Sequence, residues 1–340
     1  MKNYLDFEKN IKKLEESLKN LKDPFQNQGL SKIETEKISN IQIEIDQKLK
    51  EIYKNLNPWE KTLVARHENR PKSNFFINEL FEDFVPLEGD RFYSEDKSVT
   101  TGFARFNNTS VLIIGQEKGE DLNSRVEKNF GMMRPEGYRK SIRLMKLADK
   151  FNIPIIIFID TPGAYPGAGA EERGQAEAIA RSIQCSMEIK VPTVSIIIGE
   201  GGSGGAIALA SSNRVLMLEN AIYSVISPEG CATILWRDPS KTLQAAKAMK
   251  LSADDLLNLG VIDEVISEPI GGAHRNREEI VKNVKLSLEK NLYDLLKMNR
   301  EQIFQDRKNK FLNIGRQKGF QGKIQNSNNL VMKKNFYYNY

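Results

Sequence analysis

The sequence predicts an α/β fold whose central sheet is covered by helices on both faces. Three short, continuous apolar runs rich in β-branched residues support this prediction, at 111–115, 153–160 and 191–200. Such runs are typical of strands that are buried on both faces. Helical patterns separate them, and strands alternating with helices at this spacing indicate an α/β core. With 340 residues, 40% of them apolar, the chain can bury a large core.

The first 57 residues predict a helical hairpin. Two series of apolar residues, each recurring in steps of three and four, indicate two helices. Asp23, Pro24 and Gly29 interrupt the chain between them, and Asn57 followed by Pro58 ends the second. We expect this arm, residues 1–57, to pack on its own domain or on a second subunit. The two series are Phe7, Ile11, Leu14, Leu18 and Leu21, and then Ile38, Ile41, Ile45, Leu49, Ile52 and Leu56.

The middle of the chain predicts further elements within one domain, residues 58–296. A helix is expected over 135–151, because Pro135 suits a first helical turn and Glu136 suits the positive end of the helix dipole. Another is expected from Ala170 onward. Strands are predicted at 214–219, 221–226 and 261–266, so pairs of strands precede helices and the order departs from simple βα alternation.

The C-terminal part predicts a helix running toward Leu296, a helical segment over 297–318 and a disordered or loosely docked tail over 319–340. The tail is rich in Asn and poor in periodicity. Lys333, Lys334 and the terminal tyrosines are one short cluster that could stack on nucleic acid. A net charge of +5 spread over 28% charged residues gives little further support for a nucleic-acid partner.

Composition narrows the chemistry. Only two cysteines, Cys185 and Cys231, argue against a disulfide framework and suit a reducing cytoplasm. With only two histidines, His67 and His274, a metal site on this chain is not expected. The first residues lack the apolar stretch of a signal peptide, and the longest apolar run is too short to span a bilayer, so no membrane association is expected.

Five glycines lie within residues 199–205, between a predicted strand and a predicted helix. Gly199, Gly201 and Gly204 match the G-x-G-x-x-G pattern of dinucleotide-binding proteins, and Glu219 follows 20 residues after Gly199. Two further glycines, at 202 and 205, are not required by that pattern. A tight strand-to-helix crossing would explain one or two of the five.

A second glycine-containing segment, residues 160–174, follows the preceding strand and includes Gly163, Gly167 and Gly169. We therefore expect two neighbouring strand ends to carry flexible loops that expose backbone before a helix. Unpaired N–H groups at a helix N-terminus can hold an oxygen that becomes negative during a reaction, without any side chain. No Cys–His pair lies nearby, and Ser203 and Ser227 have no histidine near them in sequence, which disfavours a hydrolase.

The motifs GEGGSGGAIALA, FIDTPGAYPGAGAEERGQAEAIA and YSVISPEGCATILW closely resemble the carboxyltransferase alpha subunits of the multi-subunit bacterial acetyl-CoA carboxylase. The resemblance extends from about residue 3 to residue 318. It implies a crotonase-like superhelix of ββα units, which would account for the paired strands. It also implies transfer of a carboxyl group from carboxybiotin to acetyl-CoA, forming malonyl-CoA for fatty acid biosynthesis in the cytoplasm.

The resemblance implies partners and cofactors as well. The alpha subunit assembles with a zinc-ribbon beta subunit as α2β2, and biotin is carried by a separate biotin carboxyl carrier protein. Biotin carboxylase, a further component, uses ATP. By the same resemblance, backbone N–H groups of Gly204 and Gly205 hold the ureido oxygen of biotin. Substrate-binding residues expected around them are Gly163, Ala164, Tyr165, Gly201, Gly202, Ser203, Ser227, Pro228, Glu229 and Gly230.

Several of these residues have a structural alternative. Residues 163–165 could form a turn that closes a strand, and residues 227–230 could serve first as a helix start, with Ser227 as its cap. Cys231 is expected to contribute packing rather than reactivity. Four basic residues either attract CoA phosphates or form a solvated helix face, namely Arg134, Arg139, Lys140 and Arg143.

Two rival enzymes remain open at this point. One is a dehydrogenase that binds a nicotinamide dinucleotide at Gly199. The other is a crotonase-type hydratase or isomerase that acts alone on acyl-CoA, for which Glu171, Glu172 and Glu200 are available as acid or base. A non-enzymatic role of the basic chain ends is the third alternative.

Overall fold

The computed structural model describes residues 3–22 and 32–316. Within them, one sheet contains eight strands in the order β1-β2-β3-β4-β5-β6-β8, and β7 pairs with β5. The strands are β1 (Glu82–Pro86), β2 (Val99–Phe106), β3 (Thr109–Gln116), β4 (Ile155–Thr161), β5 (Thr193–Gly202), β6 (Arg214–Leu218), β7 (Ile222–Ser224) and β8 (Glu264–Ile266).

Helices surround this sheet, as predicted for an α/β core. In the described part of the chain they are α1 (Lys9–Leu21), α2 (Lys32–Lys54), α3 (Pro58–Ala65), α4 (Ser73–Leu80), α5 (Leu122–Glu127), α6 (Pro135–Phe151), α7 (Ala168–Glu172), α8 (Gln175–Glu188), α9 (Ser203–Ala210), α10 (Pro228–Trp236), α11 (Thr242–Met249), α12 (Ala253–Asn258), α13 (Arg277–Leu296) and α14 (Arg300–Asn313).

The centre of the sheet is buried on both faces. All seven residues of β4 and nine of the ten residues of β5 are buried. This confirms what their continuous apolar sequences predict, because a strand covered on one face would alternate. The strands from β3 to β6, and then β8, are parallel, whereas β1 and β2 form an antiparallel edge.

Strand β5 pairs with two different strands along its length. Its residues 194–197 pair with β6, and its glycine-containing end, residues 200–202, pairs with β7. The sheet therefore divides where the glycines begin. This division places the end of β5 and the start of α9 between β4 on one side and β7 on the other.

The N-terminal hairpin is confirmed for the described residues. Helices α1 and α2 pack on each other through a cluster that includes Ile11, Leu18, Ile45 and Leu49. The hairpin also contacts the rest of its own chain, because Arg275 donates to Glu8 and Glu15 at 2.8 Å each. The hairpin thus packs on its own chain, and packing on a second subunit stays a prediction.

Two expected helix boundaries were wrong. Helix α2 ends at Lys54, before Asn57, and Asn57 instead begins α3 by accepting from the N–H groups of Trp59 and Glu60. The single helix expected from Ala170 is two helices, α7 and α8. Gly174 separates them with a left-handed φ of 81°, a conformation that glycine adopts at little cost.

The C-terminal helices α13 and α14 agree with the predicted helical pattern. Arg307 of α14 is fully buried and donates to backbone oxygens of Ser186, Ile189 and Val191, which attaches this helix to the end of α8. The division at residues 57, 296 and 318 stays a prediction, and the predicted tail lies outside the described residues. Within residues 3–22 and 32–316, no helix has the length and apolar character needed to cross a membrane.

Candidate active site

Strand β5 runs directly into helix α9 without a loop. Gly199, Gly201 and Gly202 lie in the strand, and the helix begins at Ser203, whose φ of 50° makes the turn. The expectation of a flexible glycine loop at this strand end was therefore wrong. The glycines are part of regular structure, and their role must come from what surrounds them.

Most of these glycines allow another part of the chain to approach closely. A Cβ on Gly199 would lie 2.4 Å from Asp160 Oδ1, and a Cβ on Gly202 would lie 2.2 Å from Pro162 O. A Cβ on Gly205 would lie 2.6 Å from the carbonyl carbon of Gly163. Close packing thus accounts for more of the five glycines than the one or two expected from sequence, and it brings the two glycine-containing segments into contact.

Gly204 is different. A Cβ there would meet only the Ile179 side chain at 3.6 Å, an ordinary van der Waals distance. Packing therefore does not require a glycine at this position. Gly204 is half-buried and lines a cavity of about 490 Å³, together with apolar residues such as Ile207, Tyr223 and Val225.

The N-terminus of α9 presents backbone donors beside this cavity. The first N–H groups of a helix have no carbonyl partner within the helix, and here the capping position is Gly202, which has no side chain to accept from them. The partial positive charge of the helix N-terminus adds to their attraction for an anion. An uncapped helix start next to an apolar cavity can hold an oxygen that gains negative charge.

The segment after β4 forms a fixed turn against α9. The Thr161 hydroxyl donates to Gly163 O at 2.7 Å and accepts from Gly163 N–H at 3.1 Å. The Gln175 amide donates to Tyr165 O at 2.9 Å, and the Arg134 guanidinium lies 4.7 Å from the centre of the Tyr165 ring. The structure therefore brings residues 163–165 and 201–205 together, while the strand-closing turn expected as the alternative is also present.

Residues 227–230 form the start of α10. Ser227 Oγ accepts from Gly230 N–H at 3.1 Å, and Pro228 occupies the first helical position. The structural role expected for this segment is confirmed. Glu229 also accepts from Arg66 at 2.6 Å, and Arg66 donates to Glu200 of β5 at 2.7 Å, so an ion-pair chain connects α10 to the end of β5.

The sequence did not predict the two cations, Lys118 and Arg66, that take part in these ion pairs. Lys118 lies 2.7 Å from Asp160 and 2.8 Å from Glu200, at the ends of β4 and β5, and its side chain is only 14% exposed. Burial acts to lower the pKa of Lys118, but the two carboxylates outweigh it and raise the pKa. For Glu200, burial acts to raise the pKa, and Lys118 and Arg66 reverse this and lower it to about 2. Carboxylates at the ends of two buried strands were the available signal, since such groups need partners.

The ion pairs of Glu200 argue against the alternative of a hydratase or isomerase that acts alone. Glu200 remains ionised and paired, which is unsuited to a group that must exchange protons. Glu171 and Glu172 are exposed on the short helix α7. None of the three acidic residues expected for a hydratase or isomerase is thus placed as a general acid or base.

The two histidines lie together, but neither is placed to activate a serine. Their rings stack at 3.8 Å, and His67 Nε2–H donates to Asn3 O at 2.9 Å. His274 Nδ1 is buried, and within the described residues it has no hydrogen-bond partner. Burial, followed by the charge of His67, lowers the pKa of His274 to about 2.

All four of the basic residues considered for CoA phosphates have internal partners. Arg134 donates to Asn129 Oδ1 at 3.1 Å. Lys140 is buried and donates to the Asp96 and Val99 carbonyls, at 3.0 and 2.7 Å. Arg139 pairs with Asp90 and Glu136, while Arg143 donates to backbone carbonyls of residues 88 and 89. Lys140 was expected either to attract CoA phosphates or to lie on a solvated helix face, and its buried position fits neither expectation. Cys231 is half-buried on the wall of the apolar cavity.

Comparison with known proteins identifies the family. Residues 4–315 match the family described as acetyl co-enzyme A carboxylase carboxyltransferase-like. The chain is 70% identical to the acetyl-coenzyme A carboxylase carboxyl transferase subunit alpha of Pelagibacter ubique, over 98% of this chain and 91% of that one. It is 51% identical to the protein of the same name from Cereibacter sphaeroides, over 92% and 98%.

The chain belongs to this carboxyltransferase family. The resemblance seen in the sequence motifs is therefore confirmed, and neither the dehydrogenase nor the hydratase alternative is favoured. Close relatives cover nearly the whole chain, so the family assignment does not depend on the glycine pattern alone.

Solved structures support the fold. The transcarboxylase 12S crystal structure matches with a TM-score of 0.52 and 19% identity over 66% of this chain and 42% of that chain. The beta subunit of Pseudomonas aeruginosa geranyl-CoA carboxylase matches with 0.52 and 15%, over 73% and 46%. The chain thus spans less than half the length of these two proteins. A Pseudomonas malonate decarboxylase hetero-tetramer chain matches with 0.52 and 15%, over 62% and 84%. The crotonase-like fold predicted for this chain is confirmed.

Proposed function

We propose that this chain is the alpha subunit of an acetyl-CoA carboxylase carboxyltransferase. In this reaction a carboxyl group moves from carboxybiotin on a biotin carboxyl carrier protein to acetyl-CoA and gives malonyl-CoA, the first committed product of fatty acid biosynthesis. The strongest support for this proposal is the match to the carboxyltransferase family over residues 4–315, together with relatives named as carboxyl transferase alpha subunits that cover 92–98% of the chain.

Within this function, the N-terminus of α9 is proposed as the site that holds the ureido oxygen of biotin. Biotin, when bound, supplies the carboxyl group and an oxygen on which negative charge grows as that group leaves. The N–H groups of Gly204 and Gly205 would stabilise this charge, and no side chain is required for it. The uncapped helix start, the half-buried Gly204 and the apolar cavity beside it fit such a ligand.

The surrounding predicted residues would position this helix start. Packing of Gly205 against Gly163 fixes α9 relative to residues 163–165. The ion pairs of Lys118 and Arg66 fix the end of β5, which leads into the helix. Residues 227–230 begin α10, and the residues that flank them, Ile226 and Cys231, line the same cavity.

The proposal requires partners. We expect a zinc-containing beta subunit to complete the site as α2β2, with the acetyl-CoA thioester on the beta side, and biotin carboxylase to supply carboxybiotin with ATP. Exposed large apolar side chains support a covering subunit: Val225, on the cavity wall, is 81% exposed, and Ile234 and Leu235 of α10 are 70% and 64% exposed. The cytoplasm is the expected location.

Co-expression with a candidate zinc-ribbon partner tests the proposal. The purified complex should convert acetyl-CoA and a carboxybiotin donor to malonyl-CoA, measured by mass spectrometry, while this chain alone should not. Absence of transfer by a stable complex, or enoyl-CoA hydration by this chain alone, would contradict the proposed function.

A further inference from the structure

A second cavity, of about 240 Å³, lies beside Pro162 and Glu200 and shares no lining residue with the apolar cavity at Gly204. Five cationic side chains line it, against two carboxylates. This volume is below the range of about 300–1,000 Å³ that is usual for drug-sized ligands, so the cavity suits a small ion or one group of a larger molecule. The cations are Arg66, Arg70, Lys72, Lys118 and Arg125.

Three of these cations are neutralised by carboxylates. Arg66 and Lys118 pair with Glu200, and Lys118 also pairs with Asp160. Arg70 pairs with the buried carboxylate of Glu268. Asp160 and Glu200, the two carboxylates of the cavity wall, are therefore already paired with Lys118 and Arg66, and they do not neutralise the other cations of the cavity.

Lys72 and Arg125 are the two cations without a carboxylate partner. Lys72 is buried and donates only to backbone, to Glu68 O at 2.7 Å and Arg70 O at 2.6 Å. In the part of the chain that the structure describes, the Arg125 guanidinium has neither an ion pair nor a hydrogen bond. Arg125 is half-buried on α5, so its charge is partly withdrawn from water without compensation.

The electrostatics of Lys72 indicate that these charges act on one another. Burial lowers the pKa of Lys72 to about 8, and the positive charges of Lys118 and Arg125 act in the same direction, against the attraction of Asp160. Mutual repulsion of cations in a cavity is relieved by an anion between them. A bound anion would favour the charged form of Lys72.

The turn that contributes Phe130 to the cavity wall is held in an unfavourable conformation. Asn129, Phe130 and Gly131 have φ values of 46°, 55° and 81°, and Phe130 lines the cavity. Asparagine and glycine adopt left-handed φ readily, but a bulky residue such as phenylalanine does so at a cost of about 1–3 kcal/mol. The surrounding structure therefore holds this part of the cavity wall in place.

We infer that this cavity binds a phosphate group, with Arg125 and Lys72 as its principal ligands. A phosphate carries about −1.5 to −2 charges near neutral pH, which matches two uncompensated cations, and the planar guanidinium of Arg125 can donate two parallel hydrogen bonds to it. The phosphate group is either free or the end of a larger ligand such as a nucleotide. This inference goes beyond the proposed carboxyl transfer and does not depend on it.

Titration of the full-length chain with inorganic phosphate, at pH 7 and constant ionic strength, tests the inference by calorimetry. Saturable binding is expected, and Arg125→Gln should weaken it by about 10- to 100-fold, as expected for loss of charged hydrogen bonds. Arg125→Gln removes no internal partner, so the variant should fold. Arg181→Gln, on an exposed i,i+4 pair, is the matched control and should bind as the wild type does.

Competition distinguishes the sources of the phosphate. Displacement of inorganic phosphate from the full-length chain by CoA or ATP would identify a ligand-borne phosphate, and a lack of displacement by either would identify free phosphate. Absence of saturable binding, or equal binding by wild type and Arg125→Gln, would overturn the inference. Because the readout is binding rather than malonyl-CoA formation, this proposal and the proposed function fail separately.

Discussion

Replacement of Gly204 by valine separates a role in catalysis from a role in packing. The Cβ position at Gly204 is free apart from ordinary contact with Ile179 at 3.6 Å, so the fold does not require glycine there. The same position lines the cavity at the start of α9, where, in the proposed binding mode of biotin, a branched side chain would displace the ureido oxygen from the backbone donors. Loss of one such donor lowers the rate by about 10²–10³, or about 3–4 kcal/mol.

The expected result is a folded, assembled enzyme that turns over slowly. Because the contact strengthens as charge develops, kcat should fall by about 10²–10³, with a smaller change in KM for acetyl-CoA. Malonyl-CoA formation is measured on the co-expressed complex, with size-exclusion chromatography and thermal unfolding on the same samples. Gly204→Ala is the matched variant. Because alanine favours the helix over glycine by up to about 1 kcal/mol, this variant should unfold at the same or a higher temperature than the wild type.

Two results would refute this reasoning. Near wild-type turnover by an intact Gly204→Val complex would show that this helix start does not contact the reacting group. A large loss of stability in Gly204→Ala would show that packing, and not the reaction, requires glycine there.

Three further variants test other parts of the structure. Gly205→Ala should destabilise the fold by about 1–3 kcal/mol, because its Cβ would lie 2.6 Å from a backbone carbon of the neighbouring segment, and an unchanged Tm would contradict that contact. Lys118→Met should cost about 3–5 kcal/mol in urea unfolding, because two buried carboxylates lose their shared cation, whereas Lys97→Met at an exposed pair should leave the unfolding curve unchanged. His274 has a folded-state pKa of about 2 and an ordinary value of 6.5, so below pH 6.5 the unfolded chain takes up a proton that the folded chain does not. The free energy of unfolding of the wild type should therefore fall as the pH is lowered below 6.5. It should fall more steeply than that of His274→Phe, by up to about 1.4 kcal/mol per pH unit. Parallel curves for these two proteins would argue against a buried neutral imidazole.

The central strands and the N-terminal hairpin could be predicted because their signals are local. Continuous β-branched runs mark β4 and β5, and three- and four-residue steps mark α1 and α2. Strands β1 and β2 were missed. The residues of β1 are mostly exposed, so that strand lacks the apolar pattern by which a buried strand is recognised.

The roles of individual glycines could not be predicted, because they depend on tertiary contacts. Gly199, Gly202 and Gly205 face segments that are about 40 residues away in sequence, and only the folded chain shows how close those segments come. The partner of Asp160 was missed for the same reason, since Lys118 lies on a different connection. The motifs that resemble the family indicated the family correctly because they contain the residues that make these contacts, although the sequence alone does not show which residues meet.

The position of biotin relative to α9 tests the central claim most directly. A crystal structure of the complex with its beta subunit and a bound biotinyl group would measure the distance from the ureido oxygen to the Gly204 and Gly205 nitrogens. We predict distances of about 2.7–3.1 Å. A biotinyl group bound elsewhere, or an intervening side chain between that oxygen and the start of α9, would contradict the account.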